Sequence, residues 1–283
     1  MKNRSFTLIE LLVVIAVIGL ISSIVLVSMK GTTKKAKIAK ALNFSHSVNH
    51  ALGAYAVGIW NFDDPDDPSQ ALDASGYGNH GAINGAVYTS DTPYAVVGAG
   101  QGKYALSFDG TSDYVNAGAG SSLNFGTGDY TLAFWFKWTG PGIWGGFAMK
   151  GEHWGAPGNP FVFWGRPNGM NVGVSGGGVL GEMRFNTGGE DRRWHHFVLT
   201  RNSETITVYT DTRYLNSMTI SGLGNTDTGS PLLIGRGAGM IGENNFFKGL
   251  IDEVRIYSWA LTTAEIQKHY AEGLKKYKNL VTK

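Results

Sequence analysis

The sequence predicts a mainly β protein: an antiparallel β-sandwich of the jelly-roll kind, preceded by one long N-terminal α-helix whose first half is transmembrane. Three observations carry this. Glycine makes up 41 of 283 residues, about double its ordinary share of about 7%, and it punctuates many short runs in which apolar and polar residues alternate. Aromatic residues are 12% of the chain and recur inside those runs. Ahead of them, Phe6 to Met29 is an almost unbroken apolar stretch of 24 residues, long enough at about 1.5 Å per residue to cross a bilayer core of about 30 Å.

Composition sets further bounds. Net charge is +2, so no general affinity for nucleic acid is expected. The chain has no cysteine, which excludes disulfides, zinc–thiolate sites and a cysteine nucleophile. Charged residues are 16%, against about 25% in ordinary soluble proteins.

Glu10 is the one carboxylate inside the apolar run. An acid there is costly and demands a partner. "RSFTLIELLVVIAVIGLISS", with the short basic leader carrying Lys2 and Arg4, resembles the start of type IV prepilins and the related secretion-system pseudopilins. The resemblance implies cleavage by a prepilin peptidase between Ser5 and Phe6, N-methylation of the new Phe6 amine, and a filament of like subunits. The family usually has glycine before the cut, where this chain has Ser5. Glu10 matches the family's acidic residue, the fifth after cleavage. Its chemistry fits that place: a carboxylate in an apolar bundle pairs with the Phe6 amine of a neighbouring subunit and fixes register, as a buried Asn does in coiled coils. Lys30, Lys34, Lys35, Lys37 and Lys40 follow the run and by lysine counting would put the C-terminal part in the cytoplasm. The longer and more specific prepilin motif puts it outside. The expectation is a single-pass membrane protein with an extracytoplasmic C-terminal domain, reaching the cell surface in a pilus.

Beyond the run, Ile38, Ala41, Ser45, Val48, Leu52 and Tyr55 step by 3, 4, 3, 4, 3, one face of a continuing helix. The expected division is a leader at 1–5, a helix at 6–57 (transmembrane over about 6–29), a jelly roll at 58–272 that includes the beginning of a C-terminal helix, and a basic tail at 273–283. "GIWNFDD" opens the strand texture, and "DDPDDPSQ" and "DASGYGNHG" are turns. "KYALSFDG" and "SDYVNAG" read as a hairpin about Gly110-Thr111. "DYTLAFWFKW", "RRWHHFVLTRN", "TITVYTDT", "SPLLIGRG" and "FKGLIDEVRIYSWAL" read as further strands. "TTAEIQKHYAEGLKK" reads as a helix capped by Thr262 or Thr263, with Glu265 in its first turn.

"WNFDD", "DASGYGNHG", "YALSFDGTSDYV", "DYTLAFWFKW", "RRWHHFVLTRN" and "FKGLIDEVRIYSWALTTAEI" in this order resemble the laminin-G-like, concanavalin-A-like jelly rolls, near the pentraxin branch, over about 200 residues from Trp60 to Glu265. That resemblance implies a carbohydrate- or protein-binding module, many of whose relatives use calcium. Asp252 shares a strand face with Leu250, Val254 and Ile256, and is expected to point inward. A buried carboxylate needs partners. Asp73, Asn79, Asp109 and Asp113 could join it around Ca2+, or it could accept backbone N–H bonds with no metal. The pentraxin-type ligand site draws on acids after the "LLIG"-like strand, where this chain reads Arg236-Gly237-Ala238.

For a glycan, Trp144, Trp154 and Trp164, beside Glu152, His153, Asn159 and Arg166, offer stacking surfaces, unless they only fill the core. His195 and His196 are adjacent on a strand and point to opposite faces, so they do not grip one ion. The E-x-D-x-x-E arrangement of related glycan hydrolases is not found, nor is G-x-S-x-G or H-E-x-x-H. The reading is a non-enzymatic pilin-like subunit with an adhesive head for a surface glycan or protein. The alternatives are a pseudopilin of a secretion or DNA-uptake machine making protein contacts only and, more remotely, a tethered glycan hydrolase.

Overall fold

The structure, a computed structural model, describes Leu12, Val13, Ile15 and residues 55–93, 104–140, 145–151, 158–166, 169–186, 191–238 and 244–278. The chain divides into two units, Met1–Ala54 and Tyr55–Lys283. In the first, Leu12, Val13 and Ile15 are helical and more than half exposed.

The second unit is a two-sheet antiparallel sandwich. The first sheet runs β14 (Arg213–Thr219), β13 (Thr205–Thr210), β12 (Trp194–Asn202), β7 (Tyr130–Trp138), β18 (Lys248–Tyr257), β5 (Ala105–Asp109) and β4 (Val87–Thr89), with β1 (Ala56–Trp60) also paired to β18. The second runs β11 (Val179–Phe185), β10 (Gly169–Gly176), β9 (Phe161–Arg166), β8 (Gly145–Lys150), β15 (Leu232–Ile234), β6 (Tyr114–Asn116), β3 (Gly81–Asn84) and β2 (Gln70–Ala71). The short β16 (Arg236–Ala238) and β17 (Asn244–Phe246) attach beside β8.

Strict alternation builds the core. Leu132, Phe134 and Phe136 of β7, with Phe197 and Leu199 of β12, face Phe147 of β8 and Phe161 and Phe163 of β9, all buried. The rings of Phe163 and Phe197 stack across the sheets at 4.3 Å and 23°. Each such ring removes roughly 150–250 Å² from water, which is how a cysteine-free sandwich holds together. All of this core lies within Tyr55–Lys283, so the unit closes on itself. At Gly146, an added Cβ would lie 1.6 Å from the backbone N of Gly237; only glycine lets β8 and β16 approach this closely.

The C-terminal helix α1 (Thr263–Lys278) covers part of the outer face of the first sheet. It is capped as expected: Thr262 N–H and Oγ1–H both donate to Glu265 Oε2 at 2.8 Å, and Glu265 N–H returns to Thr262 Oγ1, a capping box. Tyr270 stacks on Trp135 of β7 at 5.4 Å and 14°. His269 Nδ1 lies 3.1 Å from His196 Nε2. This cover is why β7 is buried on both faces at its middle.

Four expectations are corrected. The fold class is right for the sandwich and not for the anchor. Among the described residues no helix is long and apolar enough to cross a membrane. The long helix is C-terminal, and its sequence TAEIQKHYAEGLKKYK carries charge every turn. The transmembrane helix at 6–29, the bilayer as a partner and the single-pass localisation built on them are therefore withdrawn. Apart from Leu12, Val13 and Ile15, residues 6–54 lie outside the described residues. Second, the N-terminal helix was expected to reach residue 57, whereas Tyr55 is a turn and Ala56–Trp60 is already a strand; α1 in turn continues past residue 272 to Lys278. Third, β5 and β6 are not a hairpin. They belong to different sheets, and the Asp109–Asp113 turn between them is a corner of the sandwich. Fourth, Asp252 does not face the core. In β18, Asp252 pairs with Trp135 but Arg255 pairs with Ala133, a bulge centred on Glu253, whose φ is 50°. The extra residue flips the alternation. Val254 and Ile256 enter the core with Ile251, while Asp252 lies on the side of Trp135, toward α1.

Candidate functional site

The residues singled out for calcium do not converge. Asp73 Oδ1 accepts N–H bonds from Ile59 and Ser75 at 2.9 Å, and its Oδ2 accepts Ser75 Oγ–H at 2.8 Å and Asn79 N–H at 2.9 Å. Asn79 Nδ2 donates to Val57 O and Ser122 Oγ, and its carbonyl accepts Trp60 Nε1–H at 2.8 Å. The pair thus fastens the 73–79 turn to β1. Asp109 accepts from Thr111 N–H, Thr111 Oγ1–H, Ser112 N–H and Asp113 N–H, and these bonds hold its carboxyl far below the usual range. Asp113 Oδ2 accepts Asp109 N–H at 2.9 Å, while burial pushes its carboxyl up.

Asp109 pairs with Lys248, four residues along β18 from Asp252, or roughly 13 Å; ligands of one Ca2+ lie within about 5 Å of each other. Asp73 bridges to Trp60, which pairs with Val254, so it sits two strand spacings from β18, roughly 10 Å. Asp252 is fully buried. Its Oδ1 accepts Glu253 N–H at 2.7 Å and its Oδ2 has no hydrogen-bond partner. Burial first, then the Glu253 carboxylate, push its carboxyl well above the usual range. Among the described residues no group of three or more His, Cys, Asp and Glu is placed to hold a metal. Asp73, Asn79, Asp109, Asp113 and Asp252 are thus not brought together around one ion.

The histidines point to opposite faces. His195 Nδ1 and Nε2 lie 2.7 Å from Asp211 Oδ2 and 2.9 Å from Asp191 Oδ1. The Asp211 bond, against partial burial, raises its pKa. His196 goes under α1, where burial pushes it down to about 3. Of the three tryptophans, Trp144 and Trp154 lie outside the described residues, as do Glu152, His153 and Glu190. Trp164 is 5% exposed and packs with Met149, Val162 and Leu233 on the outer face of the second sheet. Glu182 accepts from Asn171 Nδ2 at 2.8 Å and lies 3.3 Å from Arg184 Nε.

A site that sequence reasoning missed lies on the outer face of the first sheet. Register aligns Thr131, Thr200, Thr207 and Ser217 across β7, β12, β13 and β14, and Asn202, Thr205 and Thr219 in the next row. Rows of this kind are spaced about 4.8 Å across strands and about 6.8 Å along them. Val198 and Tyr209 continue the face toward α1. The segment Ala260–Thr263 forms the other wall. Between wall and floor is a cleft of about 650 Å³, lined also by Ser203 and Leu261. Among the described residues, no charged side chain lines it. Thr131 ties the wall down: its Oγ1–H donates to Trp259 O at 2.7 Å and its Oγ1 accepts Leu261 N–H at 2.9 Å. Trp259 and Tyr55, 49% and 52% exposed with their rings 5.9 Å apart and tilted by 31°, lie apart from this cleft, beside the end of β18 where β1 pairs with it. The cleft's only trace in the sequence is the run Thr205-Ile206-Thr207-Val208, ordinary for a half-buried strand.

The sandwich and its order of strands place the molecule among lectin-like β proteins. The chain belongs to the concanavalin A-like lectin/glucanases superfamily, whose family model matches residues 109–267. Residues 1–26 match the prokaryotic N-terminal methylation motif, which is typical of type IV pilin-like proteins. No curated protein matches the chain. Among solved structures it is similar to the binding domain of Paraclostridial Mosquitocidal Protein 1, at 15% identity and a TM-score of 0.59, covering 78% of this chain and 53% of that one. It is similar also to the botulinum neurotoxin serotype D binding domain, at 14% and 0.57, covering 78% and 53%. A third is the binding domain of botulinum neurotoxin DC in complex with SialylT, at 10% and 0.56, covering 78% and 52%. The chain spans about half the length of these structures, and identities this low establish the shared fold.

Proposed function

We propose that this chain is a pilin-like subunit whose sandwich is an adhesive head for a surface glycan. One observation carries the reading: a methylation motif at residues 1–26 and a lectin-superfamily sandwich at 109–267 occur in a single chain. The motif supports processing between Ser5 and Phe6 by a prepilin peptidase and assembly with like subunits through Phe6 and Glu10. The sandwich supports ligand binding: Asp73, Asp109 and Asp113 hold backbone at their turns and Asp211 holds the His196 N–H, so these four acids serve the scaffold. Such a subunit presents a head on a filament. The test is an array of glycans and proteins probed with residues 55–283, which close on their own core, with calcium and with chelator. Glycan binding supports the reading. Binding to proteins alone would make the chain a pseudopilin-type machine part.

A further inference from the structure

We infer that the gap in the first sheet between β1 and β5 is a calcium site, held by the Asp252 and Asp63 carboxylates and the Asn61 side-chain oxygen. It shares only Asp252 with the set of residues that the sequence suggested.

Strand register makes the gap. One edge of β18 pairs with β7. The other is shared by two strands, β5 up to Ile251 and β1 from Val254. Glu253 falls between them and pairs with neither, at the bulge described above. Trp60, opposite Val254, is in the core, so Asn61 after it is directed to the outer side, where Asp252 lies. Asn61 stands one residue past the Trp60–Val254 pair and hence across from Glu253, about one strand spacing of 4.8 Å away. Asp63 borders the gap on the β5 side: its Oδ1 accepts the N–H of Tyr104, the residue before β5, at 3.1 Å.

The chemistry of the gap is one-sided. Asp252 is fully buried, and among the described residues its Oδ2 has no hydrogen-bond partner; nor has the buried Asn61 Oδ1. Both atoms are acceptors. Buried acceptors without donors are costly, and one cation satisfies several at once. Charge points the same way. Glu253 and Asp63 both act on Asp252, which makes three neighbouring carboxylates. Against them stands Arg255, whose Nη2 is 2.6 Å from Glu253 Oε2. Arg255 thereby takes Glu253 and leaves Asp252 and Asp63 to the ion, two acids with an amide instead of three acids or histidines. Carboxylate and amide oxygens suit a hard divalent cation. Ca2+ fills its six to eight places with such groups, backbone carbonyls and water in flexible geometry, whereas Mg2+ demands a near-ideal octahedron. An ion here would tie the segment that leaves β1 to the bulge of β18.

The test measures calcium uptake by residues 55–283, which close on their own core, by titration calorimetry after chelator treatment, with melting curves in EDTA, Ca2+ and Mg2+. The expected result is a single Ca2+ per chain, a higher melting temperature in Ca2+ than in EDTA or Mg2+, and affinity lowered about tenfold or more by Asp252→Asn and by Asn61→Ala. Circular dichroism establishes that the variants fold. Asn61→Ala alters no carboxylate, so it decides the matter if Asp252→Asn does not fold. Uptake that survives both variants and is lost in Asp64→Asn with Asp66→Asn would move the ion to the acidic loop and overturn the site. A larger shift with Mg2+ would overturn the choice of ion. No uptake, with equal melting in EDTA and Ca2+, would overturn the inference and leave the adhesive-head reading, which does not rest on it, as it stands.

Discussion

The His196–His269 pair makes the docking of α1 depend on pH. Both rings are buried, and one shares a hydrogen with the other over 3.1 Å. His196 Nδ1 has no hydrogen-bond partner, so the proton that joins the pair is best placed on His196 Nε2, leaving a bare lone pair inside. The charged and titratable groups that act on the pair are Asp211, which favours the imidazolium, and Arg255, which opposes it. Burial dominates. It lowers His196 to about 3 and takes His269 well below its usual value. The sign follows directly. Both pKa values are lower folded than unfolded, so between them the unfolded chain binds more protons, and stability falls as pH drops below about 6.5. From pH 7 to pH 5 the loss is about 2 kcal/mol for His196, and His269 acts in the same direction. His195 runs the other way: its folded pKa is raised, so its contribution is present in acid and fades as pH rises through that raised value. The perturbation that isolates the pair is His196→Phe with His269→Phe, which keeps two rings under the helix. Urea unfolding followed by tryptophan fluorescence, at pH 7, 6 and 5, measures it, since Trp135 lies beneath Tyr270. Wild type should lose at least about 2 kcal/mol more than the double variant over this range. Equal pH dependence in the two proteins would show that the pair does not hold α1 as a neutral couple.

Further outcomes can be checked separately. Intact mass and N-terminal sequencing should find a mature chain that begins at Phe6 with a methylated amine; a chain that starts at Met1 contradicts the processing. Glu10→Val should leave total protein unchanged but lower the ratio of sheared filament to cell-associated pool, because losing one half of a buried pair costs about 3–5 kcal/mol at each subunit contact. Asp73→Ala strands the N–H groups of Ile59, Ser75 and Asn79 and should cost about 3–5 kcal/mol, equally with calcium and with chelator; a cost that appears only with calcium would give this turn an ion. Gly146→Ala should destabilise severely in thermal melts, since its methyl would overlap Gly237 backbone.

What the sequence made legible was whatever depends on neighbours in the chain. Alternation in "TITVYTDT" places Ile206 and Val208 inward, and the Thr262–Glu265 box marks the start of α1. What it hid depends on one-residue events and on distant partners. Asp252 alternates correctly with Leu250, but the bulge at Glu253 reverses the face of everything after it, and no residue type announces that. The Gly110-Thr111 turn has hairpin chemistry, yet a turn does not say whether the next strand rejoins the same sheet. The cleft is the extreme case. Thr131, Thr200, Thr207 and Ser217 are scattered over 87 positions and meet only through strand register.

The pairing of β1 with the end of β18 also has a mechanical meaning. Ala56 lies opposite Tyr257, and Ser258 N–H is bonded to Tyr55 O, so the strand that enters the sandwich and the strand that leaves it begin and finish side by side. Tension that enters the sandwich through Tyr55 is met first at this one corner. The force path bypasses the aromatic core, and the first element it meets is the β1–β18 end, where paired residues open one after another like a zipper. Pulled at Tyr55, the sandwich would yield at this collar first, lengthening by the length of a short strand while the two-sheet core keeps its shape.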